Sequence, residues 1–182
     1  MSHKPRSGKA QSGKAQPSLD PSPASTHNPR QLAFLALRAI ARGAFADVAL
    51  DRVLGSATGG SRDRGEGALE NRRLVTELVY GSMRRQRTLD ALIDQLATKP
   101  AAQQPPELRL ILHLGFYQLR YLSQVPPSAA VNTTVDLAKH NGLGGLAGFV
   151  NGLLRQYIRL AELGDPLQLP AATGDRLALQ HS

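Results

Sequence analysis

Hydrophobic residues recur every three to four positions in seven successive segments of this chain, which is the spacing of amphipathic α-helices. The most regular segment predicts a C-terminal helix with a continuous apolar stripe. The stripe consists of Leu146, Phe149, Val150, Leu153, Leu154, Tyr157, Ile158 and Ala161. Phe149 lies at its centre, so we expect it to be buried and its replacement by Ala to cost about 3–5 kcal/mol.

Two helices and a loop are predicted at the start of the folded region. The first helix begins at Asn28 and Pro29, because Asn caps helices and Pro suits a first turn, and it ends at Gly43. The second is short. It carries the apolar residues Val48, Val53 and Leu54. Glycines and alternating charges then predict a loop over residues 55–67.

Four more helices are predicted in the middle of the chain. They cover about residues 68–85, 89–96, 107–122 and 128–140. The helix over 107–122 is strongly apolar, so we expect it to be the central element, with His113 at the surface on its less apolar side. No alternating pattern indicates a strand. The sequence predicts an all-α fold of about seven helices over residues 29–163.

Both ends of the chain differ from this region in composition. Residues 1–28 are rich in Ser, Pro, Gly and Lys and contain little that could form a core, which predicts a disordered basic tail. Residues 164–182 contain Pro166, Pro170 and Gly174, which predicts a linker.

The composition excludes several kinds of chemistry. With no Cys among 182 residues, the chain forms no disulfide, thiolate zinc site, thiol nucleophile or iron–sulfur cluster. The five His include no pair spaced for a metal, and no carboxylate pair marks acid–base catalysis. The glycines of 142–148 mimic a nucleotide-binding loop, but a helix precedes them where that loop needs a strand, so we expect a turn between helices. We therefore expect no catalytic residue, cofactor or metal in this chain.

The absence of long apolar segments indicates where in the cell the protein is located. No run approaches 18 consecutive apolar residues, and the basic N-terminus lacks the apolar segment of a secretory signal. We therefore expect a soluble, cytoplasmic protein with no membrane partner.

The net charge points to a polyanionic partner. It is +8, and the first 30 residues supply half of it. A surplus of this size favours nucleic acid, and RNA in particular is predicted as the partner.

Two groups of exposed basic residues are candidates for RNA contact. Arg73, Tyr80 and Arg84 share one face of the third helix, and Arg87 follows nearby. Arginine binds phosphate through two hydrogen bonds and Tyr can stack on bases, although an ordinary solvated helix face has the same spacing. The weaker second group comprises Lys139, Arg155 and Arg159.

Three segments resemble a known family. Residues 131–139 (VNTTVDLAK), 149–155 (FVNGLLR) and 74–85 (LVTELVYGSMRR) are similar to motifs of the NusB-like RNA-binding fold. The resemblance covers about residues 30–163. It implies an all-helical fold of two packed bundles.

The same resemblance implies one of two functions. The family includes free-standing transcription antitermination or ribosome-biogenesis factors, and also the N-terminal domain of rRNA cytosine-C5 methyltransferases. Thr133, Arg155 and the segment 175–182 are more similar to the methyltransferase branch. That branch implies an RNA-binding accessory domain that positions small-subunit rRNA for a linked or separate methyltransferase domain. The S-adenosylmethionine-binding half of such an enzyme is absent from this sequence.

Overall fold

The computed structural model describes residues 28–57 and 66–167, and within these ranges the chain forms seven α-helices and no strand. The helices are α1 (Pro29–Ala41), α2 (Ala46–Ala57), α3 (Glu66–Arg84), α4 (Gln86–Leu96), α5 (Pro106–Tyr121), α6 (Pro127–His140) and α7 (Ala147–Ala161). The all-α prediction is confirmed. Almost all of the expected basic tail and most of the expected linker lie outside the described residues.

The helix ends follow local sequence signals. The Asn28 side chain caps α1 as predicted, accepting a hydrogen bond from the Arg30 backbone N–H at 3.0 Å. Gly142 adopts a φ of 79° after α6, and the turn into α7 is the helix-to-helix connection expected from its glycines. Both ends of the loop predicted over 55–67 are helical, because Gly55 belongs to α2 and Gly67 to α3, and residues 58–65 lie outside the described residues.

The central position predicted for the fifth helix is confirmed. α5 contacts α1, α3, α4, α6 and α7, and every residue from 111 to 118 is buried. On one side α1 packs against α2 and α3, and on the other α6 packs against α7, which gives the two predicted bundles. His113 is only 3% exposed, so its predicted surface position is wrong. The reason is that α4 covers the less apolar side of α5.

Two glycines allow the helices around α5 to approach closely. A Cβ atom on Gly81 in α3 would lie 2.0 Å from the Tyr117 hydroxyl of α5. A Cβ atom on Gly115 in α5 would lie 3.0 Å from carbons of Leu154 and Thr134. The absence of side chains at these positions therefore sets the spacing of α5 from its neighbours.

One predicted core position is exposed. Phe149 is 36% exposed, so its predicted burial is wrong. α7 packs through Val150, Leu154 and Tyr157, and Phe149 lies about 100° from Val150, at the margin of that face. The apolar stripe of a helix can be wider than the part of its surface that neighbouring helices cover.

The packed region extends past residue 163. The Asp165 carboxylate accepts two hydrogen bonds from Arg120 of α5, at 2.7 and 2.8 Å. Leu167 is 6% exposed and joins the core. These contacts attach the chain after α7 to the central helix.

Candidate nucleic-acid interface

The first predicted basic group forms one continuous exposed surface. Arg73, Tyr80 and Arg84 lie on one face of α3, and all three are exposed. The opposite face of α3 packs into the core through Val75 and Val79. We call Arg73, Tyr80, Arg84 and Arg87 the α3–α4 arginine surface.

The α3–α4 junction brings two of these arginines together. α4 begins at Gln86, one residue after Arg85, so Arg87 lies in its first turn. Arg84 and Arg87 line a common hollow of about 310 Å³. Its other lining residues are Met83, Gln86 and Asp90. Two guanidinium groups at one hollow suit an oxyanion such as phosphate.

Two carboxylates near this surface have other partners. Glu77 accepts a hydrogen bond from the Tyr117 hydroxyl, and burial together with this bond raises the pKa of Tyr117 above its usual value. Asp90 is bound by groups of α5. Among the described residues, Arg73, Arg84 and Arg87 form no ion pair, so their charges remain available to a ligand.

The second predicted group is more dispersed. Lys139, Arg155 and Arg159, which we call the α6–α7 basic surface, are all exposed. Lys139 Nζ lies 3.4 Å from an oxygen of Asp136, which partly neutralises it. Arg155 Nε donates to the Asn151 side chain at 2.9 Å. This surface therefore offers less free positive charge than the first.

A polar network between α4 and α5 was not predicted. Asp90 accepts hydrogen bonds from Arg109 Nε at 2.7 Å and from Arg109 Nη2, and its Oδ1 lies 2.8 Å from His113 Nε2. Burial by itself raises the pKa of Asp90, but these partners outweigh it and hold that pKa below its usual value. Arg109 and His113 are four residues apart on one face of α5, and this spacing was the available signal.

A basic cleft between α1 and α2 was also not predicted. Its volume is about 620 Å³, and Arg38, Arg42 and Arg52 line it. Arg38 and Arg42 lie 3.5 and 3.6 Å from the Glu107 carboxylate, which offsets part of their charge. The spacing of Arg38 and Arg42, four apart on α1, could have indicated this face.

Comparison with known proteins places this geometry in a family. The family model described as NusB matches residues 27–159. The chain belongs to the NusB family. All seven helices of the described region lie within this match or end directly after it, so the family match covers both bundles.

The related curated proteins are methyltransferases. The probable ribosomal RNA small subunit methyltransferase B of Synechocystis sp. is 58% identical over 136 residues, which cover 74% of this chain and 29% of that protein. The ribosomal RNA small subunit methyltransferase B of Thermus thermophilus is 41% identical over 128 residues, which cover 70% of this chain and 29% of that protein. The chain therefore spans less than a third of the length of these relatives and matches their NusB-like part.

The described part of the NusB domain offers neither a metal site nor a membrane-spanning helix. Within residues 28–57 and 66–167, His, Asp and Glu side chains form no group of three that could hold a metal ion. None of the helices in these ranges combines the length and the apolar character needed to cross a bilayer.

Proposed function

We propose that this NusB domain binds RNA through the α3–α4 arginine surface and positions small-subunit rRNA for a methyltransferase, without transferring methyl groups itself. The names of its relatives support the substrate class, since both act on small-subunit ribosomal RNA. The chain matches only 29% of the length of each of these relatives, which supports an accessory role. The catalytic activity then belongs to a separate or linked domain that binds S-adenosylmethionine.

The observation that carries this proposal is the unpaired charge of Arg73, Arg84 and Arg87. Within the described region these guanidinium groups have no carboxylate partner, and Arg84 and Arg87 share a hollow. Tyr80, 40% exposed on the same face of α3, adds a ring on which a base can stack. Phosphate contacts from several arginines provide affinity that does not depend on sequence.

The test replaces Arg73, Arg84 and Arg87 together with Gln in the full chain. Binding to single-stranded RNA of several sequences should weaken to a similar degree. The dependence of log K on log salt should flatten by roughly 0.7 for each lost phosphate contact. The matched control replaces Lys139, Arg155 and Arg159 with Gln, which removes the same charge from the other surface. The basic tail is identical in all three proteins, so differences between them report only the replaced residues.

The outcomes separate the two surfaces. If the first triple variant keeps its affinity and salt dependence while the second loses them, RNA binds at the α6–α7 basic surface instead. Isothermal calorimetry of the unmodified chain with S-adenosylmethionine tests the accessory role. We expect no heat of binding, and micromolar affinity would contradict that part of the proposal.

A further inference from the structure

A cleft next to the Arg84–Arg87 hollow has the features of a small-ligand site. It lies between α1, the end of α3 and the first half of α5, and its volume is about 350 Å³, within the range of about 300–1,000 Å³ typical of such sites. We call it the Ser82 cleft. Its apolar walls include Leu37, Ile40 and Leu110. Met83 and Gln86 line both the cleft and the hollow, so the two are adjacent.

Ser82 supplies an unsatisfied polar group in this cleft. The residue is 2% exposed and its Oγ has no hydrogen-bond partner among the described residues. Buried hydroxyl groups in proteins nearly always have a partner, because an unpaired one is costly. Because Ser82 lines the cleft, its unpaired hydroxyl group can gain a partner when a ligand enters.

The α4–α5 network presents further hydrogen-bonding groups to the same space. Arg109 and His113 line the cleft while Asp90 lines the hollow. The Asp90 carboxylate only accepts hydrogen bonds, so His113 donates to it through Nε2. Asp90 occupies two of the five N–H groups of Arg109. Ser82, Arg109 and His113 thus add hydrogen-bonding groups to a cleft whose walls are mainly apolar.

We propose that the Ser82 cleft holds one unpaired base of the bound RNA while Arg84 and Arg87 hold the adjacent phosphate. A flat heterocycle with a polar edge suits mainly apolar walls with a few hydrogen-bonding groups, and enzymes that extrude bases bind them between apolar side chains in the same manner. The neighbouring guanidinium groups distinguish a nucleotide from an uncharged apolar ligand. This inference rests on the proposed RNA-binding function and adds a site of base contact to it.

Ala41 offers a way to fill the cleft without disturbing the core. It is exposed at the last position of α1 and lines the cleft, so Ala41→Phe places a ring in the space. We expect affinity for single-stranded RNA to fall roughly tenfold, as for the loss of one base contact, while the salt dependence stays unchanged. Ala161→Phe is the matched control, because Ala161 is exposed at the last position of α7 and lines neither space.

Ser82→Ala tests the hydroxyl group itself. Since Oγ has no partner in the described structure, its removal should leave the thermal melting temperature unchanged or raise it. Affinity for RNA should nevertheless fall several-fold. If Ser82 had only a structural role, Ser82→Ala would instead lower the stability and leave the affinity for RNA unchanged.

Nucleoside monophosphates locate the base directly. In ¹⁵N NMR titrations of the full chain, ribose 5-phosphate should shift only resonances of the α3–α4 junction, whereas the nucleotides should also shift those of Ser82 and His113. The inference is overturned if RNA binding requires Arg84 and Arg87 but is insensitive to both Ala41→Phe and Ser82→Ala, an outcome that leaves the proposed function intact. It is equally overturned if an apolar peptide, and no nucleotide, shifts the cleft resonances. Failure of the unmodified chain to bind any RNA would overturn both this inference and the proposed function.

Discussion

Gly81 is the residue at which the packing of α3 on α5 is tightest. A methyl group at this position would overlap the ring of Tyr117, whose hydroxyl is held by Glu77. The ring is almost fully buried, so it has little room to move. The distance between the two helices therefore depends on this glycine.

We predict that Gly81→Ala lowers the free energy of unfolding by about 1–3 kcal/mol through overpacking, despite the better helix propensity of Ala. Gly152 is the matched control. It lies inside α7 with nothing within 4 Å of an added Cβ, so Gly152→Ala should stabilise the protein by about 0.5–1 kcal/mol. Urea denaturation measures both. Equal changes in the free energy of unfolding for Gly81→Ala and Gly152→Ala would show that the Tyr117 ring moves aside without cost.

At the scale of the element, α7 shows how far periodicity determines burial. Its apolar stripe has the predicted helical spacing, and Leu154 is fully buried while Phe149 is one-third exposed. Leu154 packs near Gly115 of α5, whereas Phe149 lies at the margin of the packed face. Two apolar residues of the same stripe thus differ in burial, because a neighbouring helix covers only one of them.

We predict that Leu154→Ala costs about 2–5 kcal/mol, because it leaves a cavity beside α5. Phe149→Ala should cost about 1 kcal/mol or less, below the range that the sequence pattern indicated. Thermal or urea unfolding of the two variants decides the matter. A larger loss for Phe149→Ala than for Leu154→Ala would mean that the margin of α7 carries more packing than its exposure indicates.

At the scale of the whole molecule, two aspartates connect separate elements to α5. Asp90 joins α4 to Arg109 and His113, and Asp165 joins the chain after α7 to Arg120. For Asp165, the hydrogen bonds from Arg120 are the main cause that holds its pKa below the usual value. For Asp90, the bonds from His113 and Arg109 do so against the effect of burial.

A carboxylate with a lowered folded pKa stabilises the protein above its unfolded pKa of about 3.9, and this contribution is lost as the pH falls through the folded value. We therefore predict that the free energy of unfolding decreases as the pH falls below about 5. Asp90→Asn should be less stable than the parent at pH 7 and should show a weaker dependence on acid pH. Asp51→Asn is the control, since Asp51 is exposed on α2 and forms no ion pair within the described ranges. Urea titrations at several pH values provide the measurement, and an unchanged pH dependence in Asp90→Asn would contradict it.

The candidate interface could be predicted from sequence only in part. Arg73, Tyr80 and Arg84 share a face because one helix carries them, so spacing alone identified them as a group. The hollow at Arg84 and Arg87 depends on the angle at which α4 leaves α3, which no local pattern encodes. The Asp90–His113 contact joins residues 23 positions apart, so it required the packing of α4 on α5.

The sequence by itself determined the number and type of the helices, because the spacing of apolar side chains and the Asn28 cap act within a few residues of one another. It also determined the basic character of the chain, which depends only on composition. Within the described residues, tertiary structure decided which apolar positions are covered, which arginines lack a carboxylate partner, and that the Ser82 hydroxyl lies unpaired beside a cleft. The physical reason is that burial and hydrogen bonding depend on the neighbours supplied by distant segments, and only the packing of the helices on α5 brings those neighbours together.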